Sequence, residues 1–395
     1  MPYQRYPLVT DQTLVPYHDA FAQTGEEAAQ TQAAVLLNIG ALLGEWVGES
    51  TSGSSAAELF PEEDWATLAI PRSLLKLRKF RGVQLPSGLL REEFGADEAE
   101  WLKGARDPRV PGVKQVFKET QVSLSERLAR SPEPDAAALL VENSLNHPQS
   151  LVRVAAASAG RDLFHQEAIG NELIAVLLDG LDDEDDLVRD LAATILARVD
   201  PTNPRLGTLT PQGAQEQPGE PQHTSMLVHG TWARGNSWWQ PGGNFHSYIL
   251  NNVRNDLYSQ PDRFDWSGAW SDQARSIAAA RLEEWVTAHN LGGLDLICHS
   301  HGGSVAMESG KTGLLLNQLV LLSCPVHTEK YLPDFSRVND VVSVRVKLDL
   351  VILADGGGQR YRVDGIRENK LPIWFNHAAS HDPDVWRDHD VPSLL

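Results

Sequence analysis

The hydrophobic pattern divides the chain into two halves with different periods. Through the first half, apolar residues recur three and four positions apart, most clearly over 26–48. This spacing is typical of amphipathic helices. Shorter segments near 72–80, 97–104 and 113–130 carry weaker helical patterns between prolines. The pattern therefore predicts a first half built from helices.

After residue 223, short apolar runs alternate with amphipathic segments. The runs predict strands at 224–230, 263–270, 294–299, 316–325 and 341–353. The intervening patterns predict helices at 243–255, at 271–290 and from about 302. Alternating helices and buried strands are typical of an α/β domain with a mostly parallel sheet.

A stretch of different composition separates the two patterns. It reads "PTNPRLGTLTPQGAQEQPGEPQH", is rich in Pro, Gly and Gln, and has almost no apolar periodicity. Such composition is typical of a linker. We therefore predict an all-α domain over 1–204, a linker over 205–222 and an α/β domain over 223–395.

An internal repeat lies at about 135–200. The segment "NHPQSLVRVAAASAG" (146–160) aligns with "DDEDDLVRDLAATIL" (182–196), and an apolar helical run precedes each. The unit is thus a pair of helices used twice, with alanines where helices approach closely. In its period and its shared Leu-Val-Arg and Ala-Ala positions it resembles HEAT repeats, which implies a stack that binds other proteins. A generic helical bundle is the alternative.

Composition narrows the class of partner. The chain has 395 residues, 42% of them hydrophobic, and a formal net charge of −19. This charge would repel nucleic acid and anionic membranes, so neither is an expected partner. No stretch reaches 18 apolar residues, and the first residues lack the pattern of a signal peptide. Two cysteines are too few for a disulfide framework. These features predict a soluble cytoplasmic protein.

The stretch "LDLICHSHGGSVAM" (294–307) carries the strongest chemical signal. An apolar strand leads into Ser300 between two histidines, and two glycines follow. In the G-x-S-x-G nucleophile elbow, small neighbours let the backbone turn sharply from strand to helix and expose the serine hydroxyl. Cys298 replaces the first glycine, which weakens the motif, although cysteine is also small. An ordinary strand that ends in a Ser/Gly turn is the alternative.

A nucleophilic serine needs two oxyanion donors, an orienting acid and a base. The backbone N–H of His301, directly after the serine, is one expected donor. The N–H of Thr231 is the other, because His229 and Gly230 precede it at the end of the first predicted strand. Glycine there lets the loop backbone approach the reaction centre.

The acid should follow a strand beyond the elbow, and the base should come last. Asp349 lies at the end of a predicted strand or just beyond it, and Asp355 in the turn "ADGGG" is the alternative acid. His377 follows the short apolar stretch "LPIWF" at a predicted strand end. His381, at the start of "HDPDVW", is the alternative base.

Residues 224–395 resemble an α/β-hydrolase of the small lipase and esterase type. The resemblance rests on "VHGT", "CHSHGG", Asp349 and His377, with Ser, Asp and His in that chain order. It implies Ser300 as the nucleophile, His377 as general base and then acid, and Asp349 as the carboxylate that orients the imidazole. The implied activity is hydrolysis of small carboxylic esters through an acyl-enzyme.

Tryptophans flank the predicted site. Trp232, Trp238 and Trp239 follow the His-Gly strand, and Trp266 and Trp270 belong to the next predicted strand and its exit loop. Loops at the carboxyl ends of parallel strands line the crevice of such sheets. An aromatic wall there would suit acyl chains. Packing in the core or in a lid is the alternative.

No metal or cofactor is expected from the sequence. His299 and His301 lie two residues apart on a turn without a third ligand nearby in the chain. The glycine-rich "DGGGQRY" follows a strand but lacks the lysine and hydroxyl of a phosphate-binding loop.

Two other functions remain open. An amidase or peptidase would use the same fold and the same residues. A protein-interaction scaffold would bind its partner on the HEAT-like repeats, with the hydrolase domain in an auxiliary role.

Overall fold

The computed structural model describes residues 6–44, 59–83, 85, 113–164, 167–209 and 225–395. The chain forms two compact units. The first comprises Met1–Pro201 and Leu353–Gly356, and the second comprises Thr202–Ile352 and Gly357–Leu395. The predicted helical segment 97–104 and most of the predicted linker, 210–222, lie outside the described residues.

The first unit is helical. Its helices are α1 (Tyr17–Ala20), α2 (Glu26–Leu43), α3 (Glu62–Thr67), α4 (Val113–Arg130), α5 (Pro134–Ser144), α6 (Ser150–Leu163), α7 (Glu167–Leu181) and α8 (Asp186–Val199). A two-residue strand, β1 (Val9–Thr10), precedes them, and a 3₁₀ helix spans Arg72–Phe80. Helix α9 (Pro204–Thr208) follows, within the second unit.

The two segments of the internal repeat adopt the same local structure. Each consists of a turn followed by a helix, α6 in one case and α8 in the other. In the first, Nη1 of Arg153 donates to the carbonyl oxygen of His147 at 2.8 Å. In the second, Nη1 of Arg189 donates to the carbonyl oxygen of Asp183. The matched arginines thus bond equivalent carbonyls in the turn before their own helix.

Small residues allow close helix packing in this unit. A Cβ added to Gly40 of α2 would lie 3.0 Å from the Cα of Ala159 in α6. A Cβ added to Gly180 of α7 would lie 2.8 Å from Val154 and 2.9 Å from Ala192. Larger side chains at these glycines would force the helices apart.

The second unit contains a parallel sheet flanked by helices. Its strands are β2 (Ser225–Val228), β3 (Leu294–His299), β4 (Leu316–Leu322), β5 (Val338–Lys347) and β6 (Ile366–Trp374). They lie in the order β6-β5-β4-β3-β2, and every neighbouring pair is parallel. The helices are α10 (Asn244–Asn252), α11 (Asp272–Ala288), α12 (Gly302–Thr312) and α14 (Pro383–Asp388), together with the first three residues of α13 (Leu350–Asp355), whose last three belong to the first unit. Short 3₁₀ helices span His377–His381 and Val391–Leu394.

The α/β class agrees with the hydrophobic pattern. Every residue of β3 is buried, as expected for a central parallel strand covered on both faces. Helix α11 begins after Ser271, whose hydroxyl accepts the N–H of Ala274 at 3.0 Å. Within the described residues, no helix has both the length and the apolar character needed to cross a bilayer.

Two strand predictions are wrong. Residues 263–270 form no strand. Instead of joining a ladder, the Trp266 N–H donates to the imidazole of His229, and the Trp266 indole N–H donates to the His229 carbonyl. The strand predicted over 341–353 ends at Lys347, because Leu348 turns into the left-handed region with φ of +46°. Residues 350–355 are helical and form α13.

Candidate active site

Ser300 lies in a strained turn between β3 and α12. Its φ is +52°, in the left-handed region that residues with a side chain rarely adopt. Its N–H donates to the carbonyl oxygen of Leu322 at 2.9 Å, which ties the turn to the end of β4. Strain of this kind persists where surrounding contacts enforce it, and it is concentrated at functional sites.

The small residues around Ser300 allow close backbone contacts. A Cβ added to Gly302 would lie 2.6 Å from the carbonyl oxygens of Val228 and His229, and one added to Gly303 would overlap the Cys324 sulfur. Cys298, which takes the place of the first glycine of the motif, is fully buried. Burial raises the pKa of its thiol well above the ordinary value, so Cys298 is a neutral core side chain.

Asp349 and His377 form a buried pair. Nδ1 of His377 lies 2.7 Å from Oδ2 of Asp349, and because a carboxylate only accepts, the ring nitrogen is the donor. The other carboxylate oxygen accepts the backbone N–H groups of Val351 at 3.0 Å and Ile352 at 3.1 Å. Asp349 is 0% exposed and His377 is 3% exposed. These bonds offset the cost of burying the carboxylate and leave Nε2 of His377 as the proton acceptor.

The loops that carry this pair are joined to each other. The N–H of Phe375 donates to the carbonyl oxygen of Lys347 at 2.9 Å. The N–H of Leu350 in turn donates to the carbonyl oxygen of Phe375 at 3.2 Å. Leu348 and Phe375 both have positive φ, +46° and +71°. Each strand is therefore followed by a left-handed residue that turns the chain and positions Asp349 or His377.

The ring of His299, the residue before Ser300, contacts both candidate bases. Its ring centroid is 4.5 Å from that of His377 and 4.4 Å from that of His381. Its Nε2 lies 3.5 Å from the His377 carbonyl oxygen. Burial, and then the neighbouring His381 and His377, hold the pKa of His299 well below its ordinary value. The residue before the serine is thus a neutral imidazole that contacts His377 and His381.

His381, the alternative base, contacts an aromatic ring instead of a carboxylate. Its imidazole stacks on Trp238, with centroids 4.0 Å apart and an angle of 11° between the planes. Burial, followed by the charge of His377, lowers the pKa of His381 to about 3. Asp355, the alternative acid, is the last residue of α13, whereas the Nδ1 contact of His377 is made by Asp349.

The two predicted oxyanion residues are in contact. Oγ1 of Thr231 lies 3.0 Å from Nδ1 of His301, at hydrogen-bond distance. His301 is the N-cap of α12, where the helix presents backbone N–H groups and a partial positive charge. Trp232, next to Thr231, has a φ of +62° and donates its N–H to the Gly268 carbonyl at 3.0 Å. The turn after β2 is thus held on one side by the elbow and on the other by the Gly268 loop.

His229 forms part of the support for this turn. Its Nδ1 lies 2.8 Å from the Gly230 carbonyl oxygen, and its Nε2 accepts the Trp266 N–H at 3.4 Å. Burial lowers its pKa to about 4. The neutral ring therefore has a fixed tautomer, with the proton on Nδ1.

The tryptophans do not all line a pocket. Trp239 and Trp266 are core residues, 1% and 0% exposed, and their rings pack on His229 at centroid distances of 4.5 and 5.7 Å. The expectation that Trp239 lines a pocket is therefore wrong. Trp232, Trp238 and Trp270 are partly exposed, and of these Trp238 packs against His299 and His381.

Several residues of this site escaped sequence reasoning. Leu348 and Phe375 carry no signal for a left-handed conformation, since leucine and phenylalanine are ordinary strand residues. Gln359 bonds the backbone of Asp349 on both sides. Its only sequence signal is its place after three glycines.

Comparisons with other proteins give no family. No protein-family profile matches the chain, and no curated protein matches it. Among solved structures, the chain is similar to an uncharacterized protein from Bacillus cereus ATCC 10987, at 10% sequence identity and a TM-score of 0.27. That similarity covers 70% of this chain and 97% of the other.

Proposed function

We propose that the chain is a serine hydrolase of the α/β-hydrolase type that cleaves carboxylic esters through an acyl-enzyme. One observation carries the proposal. The Asp349–His377 pair, at 2.7 Å, lies at the carboxyl-terminal ends of the parallel strands, as does the left-handed turn at Ser300. Ser300 follows β3, Asp349 follows β5 and His377 follows β6. Carboxyl ends of parallel strands are where such sheets bind ligands.

The residues would act in the following sequence. His377 accepts the Ser300 hydroxyl proton on Nε2 while the serine oxygen attacks the ester carbonyl. Asp349 stabilises the imidazolium, and the N–H groups of Thr231 and His301 bond the oxyanion. Collapse of the tetrahedral intermediate breaks the ester bond, and the imidazolium protonates the departing alcohol. Water, deprotonated by His377, then attacks the acyl-enzyme carbonyl. Collapse of the second tetrahedral intermediate breaks the bond to the Ser300 oxygen, which takes the proton back from the imidazolium, and the carboxylic acid is released.

Neutral, apolar substrates suit the surroundings of Ser300 best. The nearby His229, His299 and His381 all have lowered pKa values, so they contribute no positive charge to attract an anion. The chain as a whole carries a net charge of −19, which disfavours anionic substrates. The partly exposed Trp238 supplies an aromatic surface for an acyl chain or a leaving group.

Hydrolysis of p-nitrophenyl esters of graded acyl length tests the proposal. The Ser300→Ala variant should lose about 10⁴- to 10⁶-fold in kcat. Ser304→Ala is a matched control, since Ser304 is buried in the first turn of α12 and its hydroxyl has no hydrogen-bond partner among the described residues. A fluorophosphonate probe should label wild type at Ser300, located by peptide mass spectrometry. Labelling elsewhere would contradict the proposal, and faster cleavage of matched p-nitroanilides would favour the amidase or peptidase alternative.

A protein-interaction role is the second candidate, and the HEAT-like repeat favours it. The equivalent turn contacts of Arg153 and Arg189 support a unit used twice. Such stacks bind partners along an extended surface. The full-length Ser300→Ala variant should then still bind its protein partner in solution. Charge reversal at the exposed Glu172 of α7 should weaken that complex without changing ester hydrolysis in the otherwise wild-type chain.

A further inference from the structure

The glycine-rich segment "DGGGQRY" has a structural role that its sequence does not suggest. Gly358 pairs with Val326, with N–H to carbonyl distances of 2.9 and 3.2 Å in the two directions. A Cβ added to Gly357 would lie 2.8 Å from the Cβ of Pro325. The segment therefore needs glycine to run this close to its neighbour, and the pairing fixes the position of Gln359.

The Gln359 side chain holds the backbone of the proposed catalytic acid. Its Oε1 accepts the N–H of Asp349 at 3.0 Å, and its Nε2 donates to the carbonyl oxygen of Asp349 at 3.1 Å. Asp349 lies beyond the end of β5, so no strand neighbour satisfies these two backbone groups. Gln359 is 2% exposed, which shields both bonds from competition with water.

A buried arginine fixes Gln359 in turn. Arg345 of β5 is 1% exposed, and its Nη1 donates to the Gln359 carbonyl oxygen. Its Nη2 donates to the carbonyl oxygen of Cys324 at 2.8 Å, and its Nε donates to the Ser343 hydroxyl at 3.2 Å. Cys324 lies two residues after Leu322, whose carbonyl oxygen accepts the N–H of Ser300. Through Gln359 and Arg345, hydrogen bonds thus connect Asp349 to the end of β4, which also holds the turn at Ser300.

We propose that Gln359 is a positioning residue for catalysis, which sets the direction in which Asp349 presents its carboxylate to His377. The inference rests on the proposed serine-hydrolase function. Leu348 turns the chain into the left-handed region directly before Asp349, so the strand does not determine the orientation of the acid. The two bonds of Gln359 fix the two backbone groups of Asp349 itself, and they act together with the N–H groups of Val351 and Ile352 that hold its carboxylate.

Gln359→Met tests this role, since it keeps the length of the side chain and removes both hydrogen bonds. We expect kcat to fall about 100-fold with KM little changed. The acidic limb of the pH profile of kcat/KM should move to lower pH, because a misdirected Asp349 stabilises the imidazolium of His377 less. Gln318→Met is the matched control. Gln318 is also a buried glutamine, bonded to Asp340 at 2.7 Å. It lies near the amino-terminal end of β4, whereas Ser300 follows the carboxyl-terminal end of β3.

A second variant separates positioning from folding. In Gln359→Glu, the protonated carboxyl has one donor and one acceptor and can restore both bonds. Its kcat, normalised to fluorophosphonate-labelled sites, should therefore exceed that of Gln359→Met at acid pH and fall toward it as pH rises. Equal activities at every pH, or a Gln359→Met enzyme with wild-type kcat and an unmoved limb, would overturn the inference while leaving the serine hydrolase intact. A wild-type chain without labelling or hydrolysis would overturn both.

Discussion

A Cβ placed on Gly230 would lie 2.7 Å from the Cβ of Ser300. Real side chains do not approach so closely, so either the turn after β2 or the elbow would have to move. The same Cβ would lie 3.0 Å from the His299 carbonyl oxygen and 3.3 Å from the His299 ring. Gly230 therefore allows the backbone of the turn after β2 to lie directly against Ser300.

Gly230→Ala should displace Thr231 relative to Ser300 and lower kcat about 100-fold. Gly310→Ala in α12 is the control, because nothing beyond its chain neighbours and the adjacent backbone of its own helix lies within 4 Å of its added Cβ. That variant should retain activity and gain roughly 0.4–1 kcal/mol in free energy of unfolding. Ester hydrolysis and urea unfolding measure the two effects. A fully active Gly230→Ala enzyme would show that the turn after β2 takes no part in catalysis.

Mutation should distinguish the two candidate bases by its effect on kcat and KM. His377→Ala removes the partner of Asp349 and should cost about 10⁴-fold or more in kcat. His381→Ala removes a ring that stacks on Trp238 and should mainly change KM. Steady-state kinetics on one soluble ester measure both. The opposite ranking would assign the base to His381.

Trp238 and Trp239 are adjacent in sequence but should differ in effect. Trp238→Ala removes a partly exposed aromatic surface next to His381, so KM for long-chain esters should rise about tenfold while short esters change less. Trp239→Phe removes a buried indole that donates to the Ala233 carbonyl oxygen at 2.8 Å. It should lower the free energy of unfolding by about 1 kcal/mol and leave chain-length preference unchanged. The same acyl-chain-length preference in both variants would argue against an acyl contact at Trp238.

His147 should make folding of the helical unit sensitive to acid. Burial lowers its pKa to about 3, and its Nδ1 accepts the N–H of Gln149 at 3.0 Å. A histidine whose pKa is lower in the folded state gives stability that is fully present above its unfolded pKa of about 6.5 and is lost as pH falls toward 3. The loss between pH 7.5 and 5.5 should be about 1 kcal/mol from this residue.

His147→Asn tests this pH dependence, because asparagine keeps an acceptor for the Gln149 N–H and does not titrate. The free energy of unfolding of the variant should fall by about 1 kcal/mol less than that of wild type over the same pH interval. Chemical denaturation at the two pH values provides the measurement. Parallel losses in the two proteins would show that His147 does not titrate on unfolding.

Part of the architecture follows from local pattern alone. The helical period over 26–48 predicts α2, and the apolar run at 294–299 coincides with β3. Both depend on the spacing of side chains along one element, which the sequence contains in full. The strained turn at Ser300 could likewise be anticipated, because small residues surround it in the chain.

Contacts between elements could not be obtained in this way. Residues 263–270 have the composition of a strand, yet Trp266 bonds His229 across the unit instead of joining the sheet. Trp238 and Trp239 are chemically identical neighbours, and only the packing of their loop makes one partly exposed and the other buried. Such outcomes depend on neighbours distant in sequence, which local periodicity does not encode.

The sequence by itself determined the chemical types and their order: a serine after an apolar strand, then an aspartate, then two histidines. The tertiary structure decided which of them meet. His377 bonds Asp349 while His381 stacks on Trp238, although both histidines lie in the same short 3₁₀ helix. The physical reason is that left-handed turns at Leu348 and Phe375, and the hydrogen bonds of Gln359, orient the segments that carry Asp349 and His377. These turns occur at residues whose side chains do not favour them, so only the surrounding fold imposes them.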